Sequence, residues 1–563
     1  MSEKVIIIGG SAAGPKTAAK VRRLSEDADI TIIEKGKFLS MASCGYPYFV
    51  GGVFDNRNML LCTPTGVLRD PTFYMNAKAI KAETETEVVA INRAEKTVSC
   101  KRTNGEEFVL SYDKLMISTG SIPRMPFKEG LELDGVTTLQ SISDAEYLRK
   151  IRDEKKIRKA VIIGGGLIGI ETAEALRLAG IEITIVEMAD QVLPYLDWEL
   201  AAHVEKHLKT KGVNVFTGMK VEKLIGENGV ITAVKLGNGT EIPCELAVVA
   251  IGVLPNRELA EKAGLEIGAA GGIKVNSFLQ TSDPDIYAAG DCIEINHIIT
   301  QKQTYSPMGD LANLQGRIAA ENMINGPEVK FSGTIQTAIC RIFEYSAGAT
   351  GCNEKAARAA GYDVETVIIT GPDKPGFMNG LLLISKMVVD RKTGRLIGFQ
   401  CTGPGDVSKQ VAQAALAIKG GLTINDLRDL DLPYAPPFSL AVDNFIACAH
   451  AMENKLLGRM KGISAREVRK MKCDNTSKPF ILDVRGPDEF EAMRLGIGEV
   501  LIPLGALRKR INELPADKNH EIITFCKISL RGYEAALILV SAGYTNVKVL
   551  EGGIMAWPFD REK

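Results

Sequence analysis

No two of the eleven cysteines in this chain stand in a Cys-x-x-Cys spacing, which argues against a zinc ribbon or a thioredoxin-type motif. They are scattered through 563 residues without paired spacing, the distribution expected of free thiols in a reducing compartment, so a cytoplasmic protein is expected. No apolar run approaches the ~20 residues that a membrane span requires. The formal net charge is only -1, so there is no general field to draw the chain to nucleic acid or to an anionic membrane. No metal-ligand cluster is apparent. The start, Met1-Ser2-Glu3-Lys4, leads through a short apolar stretch to Gly9-Gly10 and reads as a strand entering a turn, not a secretory signal. What the chain does have is length. It exceeds what one core can serve and implies about three to four domains, with an apolar content of 45% that is ordinary for a globular protein.

Two segments have the pattern of a strand, a glycine-rich turn and a helix. Val5–Ile8 is wholly apolar, as in a strand buried on both faces, and runs into Gly9-Gly10-Ser11-Ala12-Ala13-Gly14. A helical stretch follows, then a second strand that ends at Glu34. Gly9, Ser11 and Gly14 mark the phosphate-binding turn, with Ser11 in the place of the middle glycine, and Glu34 takes the ribose position. The second segment is more regular. Val161-Ile162-Ile163 leads into Gly164-Gly165-Gly166-Leu167-Ile168-Gly169, and the next strand ends at Glu187. Gly164, Gly166 and Gly169 complete the glycine pattern. The helix N-terminus suits a pyrophosphate. Glu187 suits two ribose hydroxyls and repels a 2′-phosphate, which predicts NADH over NADPH. Two such units imply two dinucleotides, a hydride donor and a redox partner that is a flavin. Ile286-Tyr287-Ala288-Ala289-Gly290-Asp291 ends a strand in Gly290-Asp291, where a carboxylate would meet ribityl hydroxyls. Two further strands end at Thr119-Gly120 and at Gly252, and both read as crossings between domains.

These glycines, the Gly290-Asp291 pair and the context of Cys44 in Ser40-Met41-Ala42-Ser43-Cys44-Gly45 together resemble the flavin-dependent pyridine nucleotide-disulfide oxidoreductases. The likeness is to their single-cysteine branch, which includes coenzyme A-disulfide reductases, persulfide reductases and NADH oxidases or peroxidases. The fold it implies is α/β, with two Rossmann-like dinucleotide-binding domains and an α+β dimerisation domain. A first FAD segment is expected at 1–150, an NAD domain at 151–245, a second FAD segment at 246–325 and the dimerisation domain at 326–450. The implied partners are a second copy of the chain, with active sites shared across the interface, and small-molecule sulfur substrates.

In two-cysteine members of that superfamily a partner follows the first cysteine by five residues, where this chain has Phe49. Cys44 is therefore expected to work alone, as a mixed disulfide with a small thiol or as a sulfenic acid. A flavin and a helix N-terminus nearby would favour its thiolate. The resemblance implies that electrons pass from NADH to FAD and on to Cys44. Glu171 matches the family's acid near the nicotinamide; the alternative is a solvated first-turn Glu favoured by the helix dipole. Tyr434, in Asp431-Leu432-Pro433-Tyr434-Ala435-Pro436, matches a segment that supplies a tyrosine from the other subunit. A second family tyrosine is missing, and Lys374 is nearest to its place. Coenzyme A contacts are implied at Lys20, Arg23, Ser40 and Ser43, where Ser43 stands in place of a frequent family Asn. Lys20 and Arg23 equally fit a solvated helix face.

From Met452 the chain turns charged, and 451–465 reads as a linker. The last segment, 466–563, resembles a rhodanese domain. Phe480-Ile481-Leu482-Asp483-Val484-Arg485 gives a strand with a buried Asp/Arg pair, expected to be structural. Glu521-Ile522-Ile523-Thr524-Phe525 delivers Cys526 into a loop that ends at Arg531. Successive N–H groups of such a loop can cradle a thiolate or persulfide anion, with Arg531 adding charge at the rim. The expected activity is an NADH-dependent reductase of persulfides, polysulfide or coenzyme A disulfide, joined to a domain that carries sulfane sulfur on Cys526. Two other readings stay open, an NADH oxidase or peroxidase cycling Cys44 through sulfenic acid, and a sulfur-trafficking sulfurtransferase whose flavin part senses redox state.

Overall fold

The structure is a computed structural model that describes residues 2–127, 129–474 and 478–562. Met1, 128, 475–477 and Lys563, which fall in the first and last of the segments delimited above, lie outside the described residues. The chain forms two compact units, one of 1–188 with 219–334 and one of 189–218 with 335–563.

The first unit holds two parallel sheets. In one, the strands run in the order Ile286–Ala288, Lys114–Ile117, Lys4–Ile8, Asp29–Ile33, Lys81–Glu83. Ile8 stands opposite Ile33 on one side and Ile117 on the other. Val5, Ile7, Leu115, Met116 and Ile286 are completely buried, as a strand covered on both faces requires. In the other sheet, Lys159–Ile163 lies between Glu182–Val186 and Leu246–Val249, and Leu246–Val249 pairs in turn with Val136–Thr137. Where the sequence suggests crossings, Gly120 and Gly252 take φ values of +70° and +95°. The strands just past them, Ser121–Pro123 and Val253–Pro255, pair antiparallel with Ile122 opposite Leu254, so the two crossings form one ribbon.

The second unit holds an antiparallel sheet in the order Ala338–Ile342, Tyr345–Gly351, Leu396–Gly403, Leu382–Asp390, Val364–Pro372. A separate parallel sheet runs Gly462–Ile463, Val547–Leu550, Ile522–Phe525, Phe480–Asp483, Val500–Leu501. The segment 189–218 belongs to this unit, although its sequence follows the second glycine-rich turn. Its anchor is a buried cation. Lys386 Nζ lies 3.2 Å from Asp197, 3.1 Å from Glu199 and 2.9 Å from Glu354. Gln400 closes the cluster, donating to Asp197 Oδ2 and accepting from the Asp197 N–H. A lysine this deep stays charged because three carboxylates offset its desolvation.

The helix Trp198–Thr210 also meets the C-terminal tail. Trp198 packs on Phe559 with ring centroids 5.6 Å apart, and Lys206 Nζ donates to Phe559 O. His203 is buried there. Its pKa falls from 6.5 to about 4, first by desolvation and then by the charges of Arg561 and Lys206, against a hydrogen bond with the Ala556 backbone. Burial lowers His207 as well. Both imidazoles hold a proton less well folded than unfolded. The contribution of each to stability is whole above 6.5 and is lost as the pH falls below it; for His203 the loss extends toward pH 4, with a limit of about 3 kcal/mol. Tm should therefore drop between about pH 7.5 and pH 5, and His203→Gln should flatten that drop while lowering Tm at neutral pH. Scanning calorimetry across the range checks both; a pH slope unchanged by the substitution would assign the acid sensitivity to other groups.

Candidate functional site

The first unit repeats one local device. Gly9 and Gly164 end their strands at φ +104° and +113°, a region that favours glycine. Their N–H groups bond Ile33 O and Val186 O, each at 2.8 Å. A Cβ on Gly14 would stand closer than 3.0 Å to Gly9 O, and one on Gly169 equally close to Gly164 O, distances that real Cβ atoms essentially never show. The helices that follow, Ala13–Leu24 and Leu167–Leu178, have Ala12 and Gly166 as N-caps, neither with a side-chain acceptor for the free N–H groups. Nothing lies within 4 Å of a Cβ on Gly166. Two uncapped helix ends behind glycine turns fit two pyrophosphates. Ser11, at the position matching Gly166, is exposed and its hydroxyl donates to Met41 O.

The acids just past the next strands, Asp29–Ile33 and Glu182–Val186, also repeat. Glu34 Oε2 accepts from the Gly10 N–H at 2.5 Å and its Oε1 from the Gly36 N–H at 2.7 Å. Glu187 Oε2 accepts from the Gly165 N–H at 2.6 Å. Each carboxylate thus braces its own glycine turn. Thr119 Oγ1 donates to Asn256 O, and the Asn256 N–H to Gly120 O, so the crossing ribbon is tied at its start. The Gly290 N–H donates to Gln315 Oε1 at 2.7 Å. Burial raises the Asp291 carboxyl above its ordinary value, opposed by the Ser121 hydroxyl 3.2 Å from Oδ2.

Cys44 lies on the single turn Ser43–Gly45, ahead of the short helix Tyr46–Val50, and is exposed. Phe49, five residues on, is buried. The long helix Gly309–Asn325 begins beside the thiol, with Cys44 Sγ 3.6 Å from where a Cβ on Gly309 would stand. The sequence suggests a helix N-terminus that favours the thiolate, and one is present. It is opposed by charges the sequence reading did not include. Partial desolvation, then the carboxylates of Glu171, Asp291 and Asp310, raise the thiol above its ordinary value. Glu171 is half-buried, and Tyr48 Oη donates to its Oε1 at 3.0 Å, so it is not a freely solvated first-turn acid. Tyr48 and Asp310 were missed; Tyr48 sits in the same short motif as Cys44, whereas Asp310 is distant in sequence and has no local signal.

The four residues matched to coenzyme A divide. Lys20 Nζ pairs with Glu321 at 2.8 Å, mostly buried. Ser40, at φ +53°, is buried with its hydroxyl 2.6 Å from Tyr74 Oη. Arg23 and Ser43 are exposed. In the second unit Tyr434 is 55% exposed in an irregular segment, and Lys374 is half-buried.

Cys526 follows the buried strand Ile522–Phe525 and is itself only 1% exposed. Its carbonyl accepts from the Ile554 N–H at 2.9 Å, and that of Lys527 from the Met555 N–H at 3.1 Å. Ser529, at φ +83°, starts the helix Leu530–Ser541. Arg531 has Cys526 beside it and is held above its ordinary pKa, first by Glu489. Glu489, unremarked in the sequence, receives both terminal nitrogens of Arg531, at 2.7 and 2.8 Å. Asp483 and Arg485 form the expected pair, 2.6 Å apart and fully buried, with Arg485 also donating to Glu489 O and Met493 O. Among the described residues no group of His, Cys, Asp and Glu could hold a metal ion, and no helix is long and apolar enough to cross a membrane.

Residues 3–309 match the family described as pyridine nucleotide-disulphide oxidoreductase, 337–445 match the dimerisation domain of that family, and 464–558 match the rhodanese-like domain. The chain is similar to the solved structure of an NAD-dependent persulfide reductase from A. fulgidus, 42% identical with a TM-score of 0.92, covering 98% of this chain and 100% of that one. It is similar to reduced CoADR-RHD from Bacillus anthracis, 36% identical with a TM-score of 0.91, over 99% of this chain and 98% of that one. It is also 35% identical to a NAD(P)H coenzyme A polysulfide/persulfide reductase from Pyrococcus horikoshii, over 80% of this chain and 99% of the relative.

The carboxylates around Cys44 make a prediction for the protein stripped of small molecules. The Cys44 thiol should titrate above its ordinary 9.0, and Glu171→Gln should move the midpoint down by removing the largest of the charge effects. Alkylation rates at the Cys44 peptide, followed by mass spectrometry against pH, test this; a midpoint unmoved by the substitution would remove Glu171 from the thiol's surroundings.

Proposed function

We propose that this chain, which belongs to the pyridine nucleotide-disulphide oxidoreductase family, is a flavin-dependent NAD(P)H reductase of persulfides, polysulfide or coenzyme A disulfide, coupled to a domain that carries sulfane sulfur on Cys526. The observation that carries the reading is the setting of Cys44: an exposed thiol beside the N-terminus of the long helix Gly309–Asn325, with a buried Phe49 where a partner cysteine would stand, in the unit that holds both glycine turns. Likeness over nearly the whole chain to a persulfide reductase and to CoADR-RHD supports it.

In this reading Gly9, Ser11 and Gly14 hold the pyrophosphate of FAD, with Glu34, Thr119, Gly120, Gly290 and Asp291 lining the rest of its site. Gly164, Gly166 and Gly169 hold that of NADH, with Glu187 at its ribose and Glu171 and Gly252 near the nicotinamide. The bound flavin supplies the electron pair that reopens a disulfide on Cys44. The chain does the remainder. Cys44 thiolate attacks the outer sulfur of a persulfide; a new S–S bond forms, the old one breaks, and the carrier thiolate leaves with its electron pair. Two electrons then return Cys44 to thiolate and release hydrosulfide, while a proton neutralises the departed carrier thiolate. Glu171, Asp291 and Asp310 keep the resting thiol protonated until a bound group offsets their charge. We assign the proton to Tyr434 of a second copy, in a homodimer whose exposed Tyr434 segment meets the Cys44 site. Arg23 and Ser43 are the exposed candidates for a coenzyme A carrier, while Lys20 and Ser40 shape the surface from beneath.

Cys44→Ser should lower persulfide turnover at least about a hundredfold while NADH still reduces the flavin. Mixed with inactive Tyr434→Phe subunits it should regain partial activity in heterodimers. Stopped-flow flavin bleaching and steady-state hydrosulfide release separate the steps; substantial persulfide turnover by Cys44→Ser would sink the assignment.

Glu187 carries a second prediction. A carboxylate at the ribose repels a 2′-phosphate by about 1 kcal/mol or more, so NADH should exceed NADPH roughly tenfold in kcat/KM. Equal values for the two would remove Glu187 from the ribose site.

A further inference from the structure

Both terminal nitrogens of Arg531 are taken up by Glu489, and Cys526 also lies within its reach. Nη1 donates to Oε2 at 2.7 Å and Nη2 to Oε1 at 2.8 Å. That parallel N–H pair is the part of an arginine that clamps a carboxylate, phosphate or sulfonate. Glu489 is not carried there by Arg531 alone. Its Oε2 also accepts from the Gly486 N–H at 3.1 Å, at the start of the helix Pro487–Ala492. Its own carbonyl accepts from Arg485, whose partner Asp483 is completely buried. The carboxylate is thus positioned from the core, and Arg531 holds its pKa down to about 2, so it is ionised at any working pH. The sulfur of Cys526 lies inside, and the ion pair lies beside it with both side chains about one-third exposed. Lys527 is exposed on the same loop and remains as a point charge without a fork.

We propose that Glu489 selects the sulfur donor: by filling the fork of Arg531 it turns Cys526 away from dianionic oxo-sulfur donors such as thiosulfate and toward organic persulfides. This rests on the reading of Cys526 as the sulfur carrier. In either transfer Cys526 thiolate attacks the outer sulfur of the donor. One S–S bond forms and one breaks, and no net oxidation occurs. An organic persulfide expels a thiolate, which needs no bidentate partner. Thiosulfate expels sulfite, whose three oxygens gather charge as it leaves and find the fork already taken.

The test uses the full chain with cyanide as acceptor and thiocyanate as the readout, comparing thiosulfate with glutathione persulfide. Wild type should favour glutathione persulfide in kcat/KM. Glu489→Gln, which keeps the size and the acceptor for Gly486, should raise kcat/KM for thiosulfate roughly tenfold, chiefly through KM, with the gain shrinking at high salt. Glu489→Asp, which keeps the charge, should retain the wild-type donor ratio. A Glu489→Gln protein that loses both donors equally, or whose donor ratio is unmoved, overturns the proposal. If Glu489→Gln does not fold, a wild-type preference for thiosulfate overturns it and a persulfide preference shared by Glu489→Asp sustains it. Transfer that survives in Cys526→Ser, or is absent from wild type with both donors, instead refutes the carrier reading beneath it.

Discussion

The first unit depends on two places where a side chain is forbidden. At Gly14 and Gly169 the helix is drawn so near the end of the preceding strand that a single Cβ would collide with the carbonyl of Gly9 or Gly164. That approach directs the uncapped helix N-terminus at the turn, and the turn is then stiffened from the far side by Glu34 or Glu187. Everything placed by these turns inherits the constraint: the strands that end beside them, the ribbon that begins at Gly120 and Gly252, and the helix Gly309–Asn325, whose Gly316 packs against Ala13 with no room for a Cβ. Since Gly309 of that helix adjoins Cys44, the thiol is positioned by the same close packing that shapes the turn.

The two sulfur sites solve opposite problems. Cys44 is exposed and lies among carboxylates, so its thiolate is disfavoured in the chain by itself despite the helix N-terminus beside it. A thiol in such surroundings holds its proton more firmly than an ordinary exposed cysteine. Cys526 is protected by burial instead. Its charged neighbour Arg531 is shared with Glu489, which takes both of its terminal nitrogens. One thiol is exposed among carboxylates and the other is buried beside an ion pair.

How much of this could be read in advance follows from the range of each interaction. The glycine turns, the acids at the strand ends, Cys44 and Cys526 all sit in short contiguous patterns, and backbone geometry ties such patterns to chemistry. The Asp483–Arg485 pair was legible for the same reason, two residues apart at the end of one strand. Glu489 facing Arg531, Asp310 facing Cys44 and Glu321 holding Lys20 were not legible, because each joins side chains far apart in sequence and looks, in its own helix, like an ordinary solvated charge. Lys20 shows the consequence. Its helix position matched a ligand contact, while an ion pair distant in sequence had claimed its charge. The grouping of 189–218 with the second unit was hidden likewise, since Lys386 reads as one more strand lysine until its three carboxylates are assembled.

Those buried charges raise a question of purpose, because a buried ion pair is weak evidence of stability and apolar replacements of similar size are often at least as stable. Their use is better sought in what they fix. Lys455, at the end of the helix Asn444–Leu456, pairs with both Glu365 and the buried Glu551. Glu551 Oε2 also accepts from the Ile368 N–H, and the next carbonyl, Gly552 O, accepts from Thr370 Oγ1. Within the next few residues Ile554 and Met555 bond the carbonyls of Cys526 and Lys527. An unbroken set of directional contacts thus runs from the strand Val364–Pro372 to the backbone of the sulfur loop. Apolar packing would tolerate a slip along that path, whereas a buried carboxylate that must meet one lysine and one N–H does not. The charge cluster thus ties the strand Val364–Pro372 to the segment whose N–H groups bond the carbonyls of Cys526 and Lys527.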